Sequence, residues 1–287
     1  MKFTKMHGLG NDYIYVNCFK EKIENPNELS IKISDRHFGV GSDGLVLIEP
    51  SKTHDFKMRI FNPDGSEAEM CGNATRCVAK YVYDNNMTKK TEFEIETKAG
   101  TIKPKLNLNL ENNQVKNICV DMGEPILERN KIPMIGPKGN VINENLPINN
   151  INNNTNNENN VKITCVSMGN PHCIIFIDNT KFNEFETLGK TIENHKTFPN
   201  RTNVEFVEII NNNEVNMRVW ERGAGETLAC GTGACATTVA CILNNKTNRK
   251  IIVHLKGGDL EINWDKDTNH VFMTGPAEKI FDGTWKN

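Results

Sequence analysis

The sequence predicts an α+β protein of two pseudo-symmetric lobes, each a mixed, largely antiparallel β-sheet or barrel wrapped around one central helix. Three observations carry that expectation. The chain repeats itself at about half its length, short β-rich runs fill both halves, and each half holds one helical stretch opening directly after Cys-Gly.

Self-similarity at a fixed period dictates architecture. Met58-Arg59-Ile60-Phe61-Asn62 is followed nine residues on by Cys71-Gly72, and Met217-Arg218-Val219-Trp220-Glu221 at the same interval by Cys230-Gly231. The offset is 159 residues throughout, and it also relates Glu67 to Glu226 and Gly10-Asn11 to Gly169-Asn170. A period this long means two similar lobes rather than a solenoid. A length of 287 residues, at roughly 150 per domain, agrees with two. We place one lobe, carrying Cys71, at residues 1–119 plus 275–287 and the other, carrying Cys230, at 120–274.

Strands follow from short β-branched and aromatic runs punctuated by Gly, Asn and Pro. The first half offers Phe3 and residues 14–16, 45–48, 58–61 and 93–97; the second answers with 163–166, 174–177, 204–209, 217–220 and 251–255. Lys98-Ala99-Gly100 and Lys256-Gly257-Gly258 read as matching hairpin turns. Residues 143–160 are mostly asparagine and too polar to bury surface, so a mobile loop is expected there.

Two helices stand out. Ala74, Cys77, Val78, Tyr81 and Val82 recur at i, i+3, i+4, i+7 and i+8, the stripe of a half-buried helix. From residue 234 to 243 nearly every position is small or apolar, which predicts a helix enclosed on all sides. Each helix begins just after its cysteine.

Bulk properties exclude several classes. A net charge of −2 gives no footprint for nucleic acid. No apolar run approaches the roughly 18 residues of a membrane span, and the opening Met1-Lys2-Phe3-Thr4 leads into a stretch too short and polar for a secretory signal. Nine cysteines, an odd number at spacings without a disulfide framework, fit a reduced, cytoplasmic setting.

The chemistry centres on the repeated cysteines. A helix N-terminus presents unpaired N–H groups and about half a positive charge, which favours a thiolate and can hold a carboxylate. Glycine after the cysteine lets a ligand approach the backbone closely. Two such groups related by pseudo-symmetry suit inversion at carbon, where a base works on one face and an acid on the other. No dinucleotide, P-loop or zinc spacing is present, so neither cofactor nor metal is expected. A lone cysteine usually just packs, the reading given to Cys18, Cys77, Cys119, Cys165, Cys173, Cys235 and Cys241. A Cys71–Cys230 disulfide is the nearest rival for the repeated pair.

These motifs closely resemble the diaminopimelate epimerase family. The residues concerned are His7-Gly8-Leu9-Gly10-Asn11-Asp12, Phe61-Asn62-Pro63-Asp64-Gly65-Ser66, Cys71-Gly72-Asn73, Gly169-Asn170-Pro171-His172-Cys173, and Glu221-Arg222-Gly223-Ala224-Gly225-Glu226-Thr227 with Ala229-Cys230-Gly231-Thr232-Gly233. The resemblance spans essentially the whole chain. It implies a cofactor-independent enzyme interconverting LL- and meso-diaminopimelate, a step towards lysine and peptidoglycan, with Cys71 and Cys230 as the two acid–base groups. It implies that backbone N–H groups of Gly72, Asn73, Gly231 and Thr232 cradle the reacting carboxylate. It implies that Asn11, Asn62, Asn170, Asn203, Glu221 and Arg222 grip the distal amino-acid end, and that His172 and Glu221 tune the thiol pKa values. A planar guanidinium suits a carboxylate and a carboxylate suits an ammonium, so the chemistry of Arg222 and Glu221 agrees. It further implies that the last strand returns to the first lobe and that the molecule is a homodimer.

Glycine at position 44, where some members carry glutamine, leaves any contact there to water or backbone. A proline or hydroxyproline racemase shares the paired-cysteine logic, but its substrates offer no second amino-acid end for Arg222 and Glu221. A phenazine-pathway isomerase would not need both cysteines. A non-catalytic amino-acid binding module predicts binding without exchange of the α-hydrogen.

Overall fold

The computed structural model describes residues 1–148 and 159–286. The chain divides into two compact units, Met1–Asp121 with Thr274–Asn287, and Met122–Met273.

Unit 1 contains β1 (Lys2–Gly8), β2 (Asn11–Asn17), α1 (Pro26–Ser34), β3 (Leu45–Glu49), β4 (Phe56–Phe61), β5 (Glu67–Ala68) and α2 (Gly72–Asp84). They are followed by β6 (Ile95–Thr97), β7 (Gly100–Ile102), β8 (Lys105–Leu108), β9 (Val115–Asp121) and, near the end of the chain, β19 (Glu278–Thr284). Its main sheet runs β19-β1-β2-β3-β4-β6-β7, with β5 on β4; β8 and β9 form a hairpin. Unit 2 contains β10 (Glu144–Ile148), β11 (Asn159–Ser167), β12 (Pro171–Phe176), α3 (Phe185–Glu193), β13 (Asn203–Asn211) and β14 (Glu214–Glu221). It continues with β15 (Gly225–Glu226), α4 (Gly231–Leu243), β16 (Lys250–Leu255), β17 (Gly258–Trp264) and β18 (Val271–Gly275). Its strands are ordered β10-β11-β12-β13-β14-β16-β17-β18, with β15 on β14.

The repeat seen in the sequence is a repeat of topology. β1 to β4, β6 and β7 alternate antiparallel and parallel pairings, and β11 to β14, β16 and β17 alternate in the same way. Even the register is shared: Ile14 pairs with Leu45, and Cys173 with Val204, each 159 residues later. Parallel neighbours need a crossover, usually helical. Each parallel step is bridged by a helix: α1 from β2 to β3, α2 from β4 to β6, α3 from β12 to β13, and α4 from β14 to β16.

The expected fold therefore holds, with refinements. α2 packs on β1, β2, β8 and β9, and α4 on β11, β12, β13, β16 and β17. Every residue of α4 from Gly233 to Cys241 is buried, as an all-round apolar helix requires. α2 is more enclosed than its stripe predicts, because Asn73, Thr75 and Arg76 are buried beside Ala74, Cys77 and Val78, while Tyr81 is half-buried. α1 and α3 are too short for periodicity to reveal. The asparagine-rich stretch needs correction at its edges: Glu144–Ile148 and the start of Asn159–Ser167 are paired strands, Leu146 opposite Val161. Residues 149–158 of that expected loop lie outside the described residues.

Candidate active site

In each unit a strand, a tight turn, a two-residue strand and a cysteine lead into a 13-residue helix. Arg59 on β4 donates from Nε to Glu67 on β5 at 2.7 Å, and Arg218 on β14 donates to Glu226 on β15 at 2.8 Å. These equivalent pairs pin the segment before each cysteine. Cys71 and Cys230 occupy the N-cap positions in extended conformation, φ −145° and −125°, and the Cys230 sulfur caps its helix by accepting from the Gly233 amide.

In unit 1, Cys71 Sγ lies 3.6 Å from Asn11 Oδ1, and the Tyr13 hydroxyl is 4.0 Å from the sulfur. Asn73 donates to the same Asn11 oxygen at 3.3 Å, while Asn11 Nδ2 donates to Asp43 at 2.8 Å. The wholly buried Arg76 donates to Asn73 Oδ1 at 2.9 Å and to the Pro276 carbonyl at 3.0 Å. Burial pushes the Cys71 thiol up, opposed by the backbone amides of Ala74 and Asn73, the Tyr13 hydroxyl and the Arg76 charge. Asn62 sits in the turn after β4 and donates to Ser66 Oγ at 2.9 Å.

In unit 2, Cys230 Sγ accepts from the Gly233 amide at 3.4 Å and lies 3.5 Å from Thr232 Oγ1. Burial pushes its thiol up; the Glu221 and Glu205 charges act in the same direction, and Thr232 and Gly233 oppose them. Burial also raises the Glu221 carboxyl, opposed first by the Thr227 hydroxyl that donates to it. His172, with no exposed surface, meets Glu205 Oε1 at 2.6 Å through Nδ1 and Asn170 Oδ1 at 3.0 Å through Nε2. Asn203 accepts from the Arg222 amide at 2.9 Å and donates to the Pro171 carbonyl at 2.9 Å, and the Arg222 guanidinium donates to Asn200 O at 2.9 Å. Glu193, at the end of α3, holds the same turn by accepting from the Gly223 amide at 2.8 Å and from the Trp220 indole at 2.7 Å.

The expectation that a helix end lowers both thiols is corrected: desolvation outweighs the amides at both cysteines. The neighbours differ in sign, however. A guanidinium and a phenol favour the Cys71 thiolate, whereas two carboxylates disfavour that of Cys230. Gly44 has φ +149°, and a β-carbon there would lie 2.2 Å from the Phe61 carbonyl oxygen, so this backbone leaves no room for a side chain. Neither Cys71 nor Cys230 is joined in a disulfide. Among the described residues no cluster of His, Cys, Asp and Glu has the form of a metal site, and no helix is long and apolar enough to cross a membrane.

Sequence reasoning missed Tyr13, Arg76, Glu205, Thr227 and Glu193. Two had a signal. Tyr13 stands 159 residues before His172, and Glu205 interrupts the apolar run Val204, Phe206, Val207.

The profile of the diaminopimelate epimerase family matches residues 3–128 and 164–280. The chain belongs to the diaminopimelate epimerase family. It is 57% identical to the diaminopimelate epimerase of Agathobacter rectalis over 290 residues, covering 99% of this chain and 98% of the relative. It is 57% identical to that of Methanococcus maripaludis, covering 99% of each. The fold of this family member is similar to that of a PhzF-family phenazine biosynthesis protein of Bacillus anthracis. That match has a TM-score of 0.70 at 17% identity over 99% of this chain and 98% of the other. A probable proline racemase from Agrobacterium radiobacter gives 0.68 at 11% identity over 99% and 92%. At such identities the likeness is one of fold alone.

Proposed function

We propose that this protein interconverts LL-2,6-diaminopimelate and meso-2,6-diaminopimelate without a cofactor, with Cys71 and Cys230 as a thiolate–thiol pair acting on one Cα. The observation that carries the proposal is the duplicated strand–turn–Cys-Gly–helix unit in a member of this family. One thiolate takes the α-hydrogen as a proton, and the C–H electron pair moves into the carboxylate. The opposite thiol then delivers its proton to the other face and is left as the thiolate. Backbone N–H groups of Gly72, Asn73, Gly231 and Thr232 stabilise the charge that grows on the carboxylate, a kind of term that enzymes use for several kcal/mol. Thiols raised by burial make strong bases once ionised, and substrate binding supplies the partner charge. Asn11, Asn62, Asn170, Asn203, Glu221 and Arg222 hold the distal carboxylate and ammonium, and His172 and Glu221 tune the thiols. Residues 1–119 with 275–287, and 120–274, serve as the two closing lobes. The enzyme works in the cytoplasm as a homodimer, feeding lysine and peptidoglycan precursor synthesis.

Purified protein in heavy water, given LL-diaminopimelate or L-proline, tests this by mass and chirality of the recovered amino acid. Deuterium at Cα of diaminopimelate with inversion is expected, and none in proline. Cys71→Ser and Cys230→Ser variants each keep one acid–base group, so exchange without inversion should survive for opposite epimers in the two variants. Full inversion by either variant sinks the two-thiol scheme; binding without exchange points to a binding module.

A further inference from the structure

Glu205 has no exposed surface and lies on β13 between Val204 and Phe206. The equivalent position in the first copy, 159 residues earlier, is the buried, apolar Val46. A carboxylate in such a strand is costly unless its charge is answered. Its Oε1 meets His172 Nδ1 at 2.6 Å, while Oε2 has no hydrogen-bond partner among the described residues.

Asn170 Oδ1, 3.0 Å from His172 Nε2, can only accept, so Nε2 must carry a hydrogen. Nδ1 then either donates to the Glu205 carboxylate or accepts from its acid form. In both cases one proton is shared between Glu205 and Nδ1, and Nε2–H is retained. Without Glu205 the ring is free to move its single proton to Nδ1, with the Asn170 amide turned over to donate to Nε2. Once Nε2–H is fixed, Asn170 must present its oxygen to His172, which leaves the amide N–H groups for an anionic ligand group.

We propose that Glu205 is a positioning residue: through His172 it locks the Asn170 amide as a donor for a substrate carboxylate. The proposal rests on the reading of Asn170 as a substrate contact. Glu205 does not touch substrate; it acts through His172. The other charged or titratable groups near the pair are Glu221, Cys230 and Cys173, whose own surroundings include Glu205.

Nitrogen NMR of 15N-histidine-labelled enzyme tests the lock directly. Nε2 of His172 is expected to be protonated in the free wild-type protein and in Glu205→Gln, whose side-chain amide can donate to Nδ1. An unprotonated Nε2 in the wild type overturns the proposal, whatever the enzyme's activity. Steady-state kinetics test the consequence. Glu205→Leu should raise KM for diaminopimelate roughly tenfold, with a smaller change in kcat, and Glu205→Gln should restore most of the loss. In an Asn170→Ala background Glu205→Leu should change KM no further, whereas a merely structural role would give the same loss in both backgrounds. An unchanged KM in Glu205→Leu, or an equal loss in the Asn170→Ala background, also overturns it. Should the leucine variant not fold, the glutamine variant and the wild-type spectrum still decide. A protein that shows the tautomer lock but does not turn over diaminopimelate would separate failure of the functional reading from failure of this one.

Discussion

Gly233 lies with its Cα against the Glu205 carboxylate: a β-carbon at that position would sit 2.7 Å from Oε1 and 3.2 Å from Cys230 Sγ. Both distances are shorter than ordinary contact, and Glu205 is buried too deeply to swing aside. The glycine thus lets a buried acid, a helix amide and a thiol share one corner. Gly233→Ala should lower kcat at least tenfold while the helical circular dichroism is kept. Alanine favours helix by about 1 kcal/mol over glycine, so a variant that gains stability and keeps full turnover would show that the contact is not restrictive.

The opposite electrostatic surroundings of the two thiols should be visible as reactivity. Iodoacetamide reacts with thiolate, and the neighbours of Cys71 favour its thiolate while those of Cys230 oppose it. On raising pH in the absence of substrate, mass mapping should find Cys71 alkylated before Cys230. Tyr13→Phe removes a hydroxyl that favours the thiolate, so labelling of Cys71 should slow by roughly two- to fivefold at fixed pH, the worth of one modest hydrogen bond. Earlier labelling of Cys230 would contradict the assignment.

Arg76 illustrates a buried cation kept by acceptors. It lies in α2 without exposed surface, and its guanidinium holds Asn73 Oδ1 and the Pro276 carbonyl, in a different segment of unit 1. Arg76→Met keeps the bulk but strands both oxygens, at roughly 1–3 kcal/mol each. Chemical denaturation should show a loss of about 3 kcal/mol, and KM for diaminopimelate should rise because Asn73 is released. Lysine lacks the planar fork and should rescue only partly. A methionine variant as stable as the wild type would show that the oxygens find other partners.

How much of this was legible depended on whether a residue's role was local. The cysteines, the helices after them and most strands announced themselves, because the 159-residue offset repeats both pattern and register. α1 and α3 did not, since nine-residue helices give little periodicity; they follow instead from the need to bridge parallel strands. The thiol environment was misjudged because a helix end is local, whereas desolvation and the carboxylates of Glu205 and Glu221 come from other strands. Asn62 and Arg222 were named by resemblance; Asn62 bonds to Ser66 within its own motif, whereas the bond from Arg222 to the Asn200 carbonyl joins it to a segment that no motif includes.

Burial of several thiols sets a direction for stability against pH. Burial pushes Cys77 and Cys241 each up to about 12, and raises Cys71 and Cys230 as well. In the folded protein these groups keep protons that the unfolded chain begins to release near the ordinary thiol value, about 8.5. The unfolded state then binds fewer protons than the folded one, so stability is fully present below that pH and falls as pH rises towards the folded-state values. For a fully buried thiol such as Cys77 the loss by pH 10 is roughly 1–2 kcal/mol. Urea unfolding between pH 7 and 10 should show the midpoint falling steadily above pH ~8.5. Cys77→Ala is less stable at pH 7, because it leaves a small cavity, but its decline to pH 10 should be shallower than the wild type's by about that same 1–2 kcal/mol. The comparison of slopes isolates ionisation from packing, since the cavity costs the same at both pH values. A wild-type midpoint that stays level to pH 10, or a variant that declines as steeply as its parent, would show that the Cys77 thiol ionises as easily in the folded protein as in the unfolded chain.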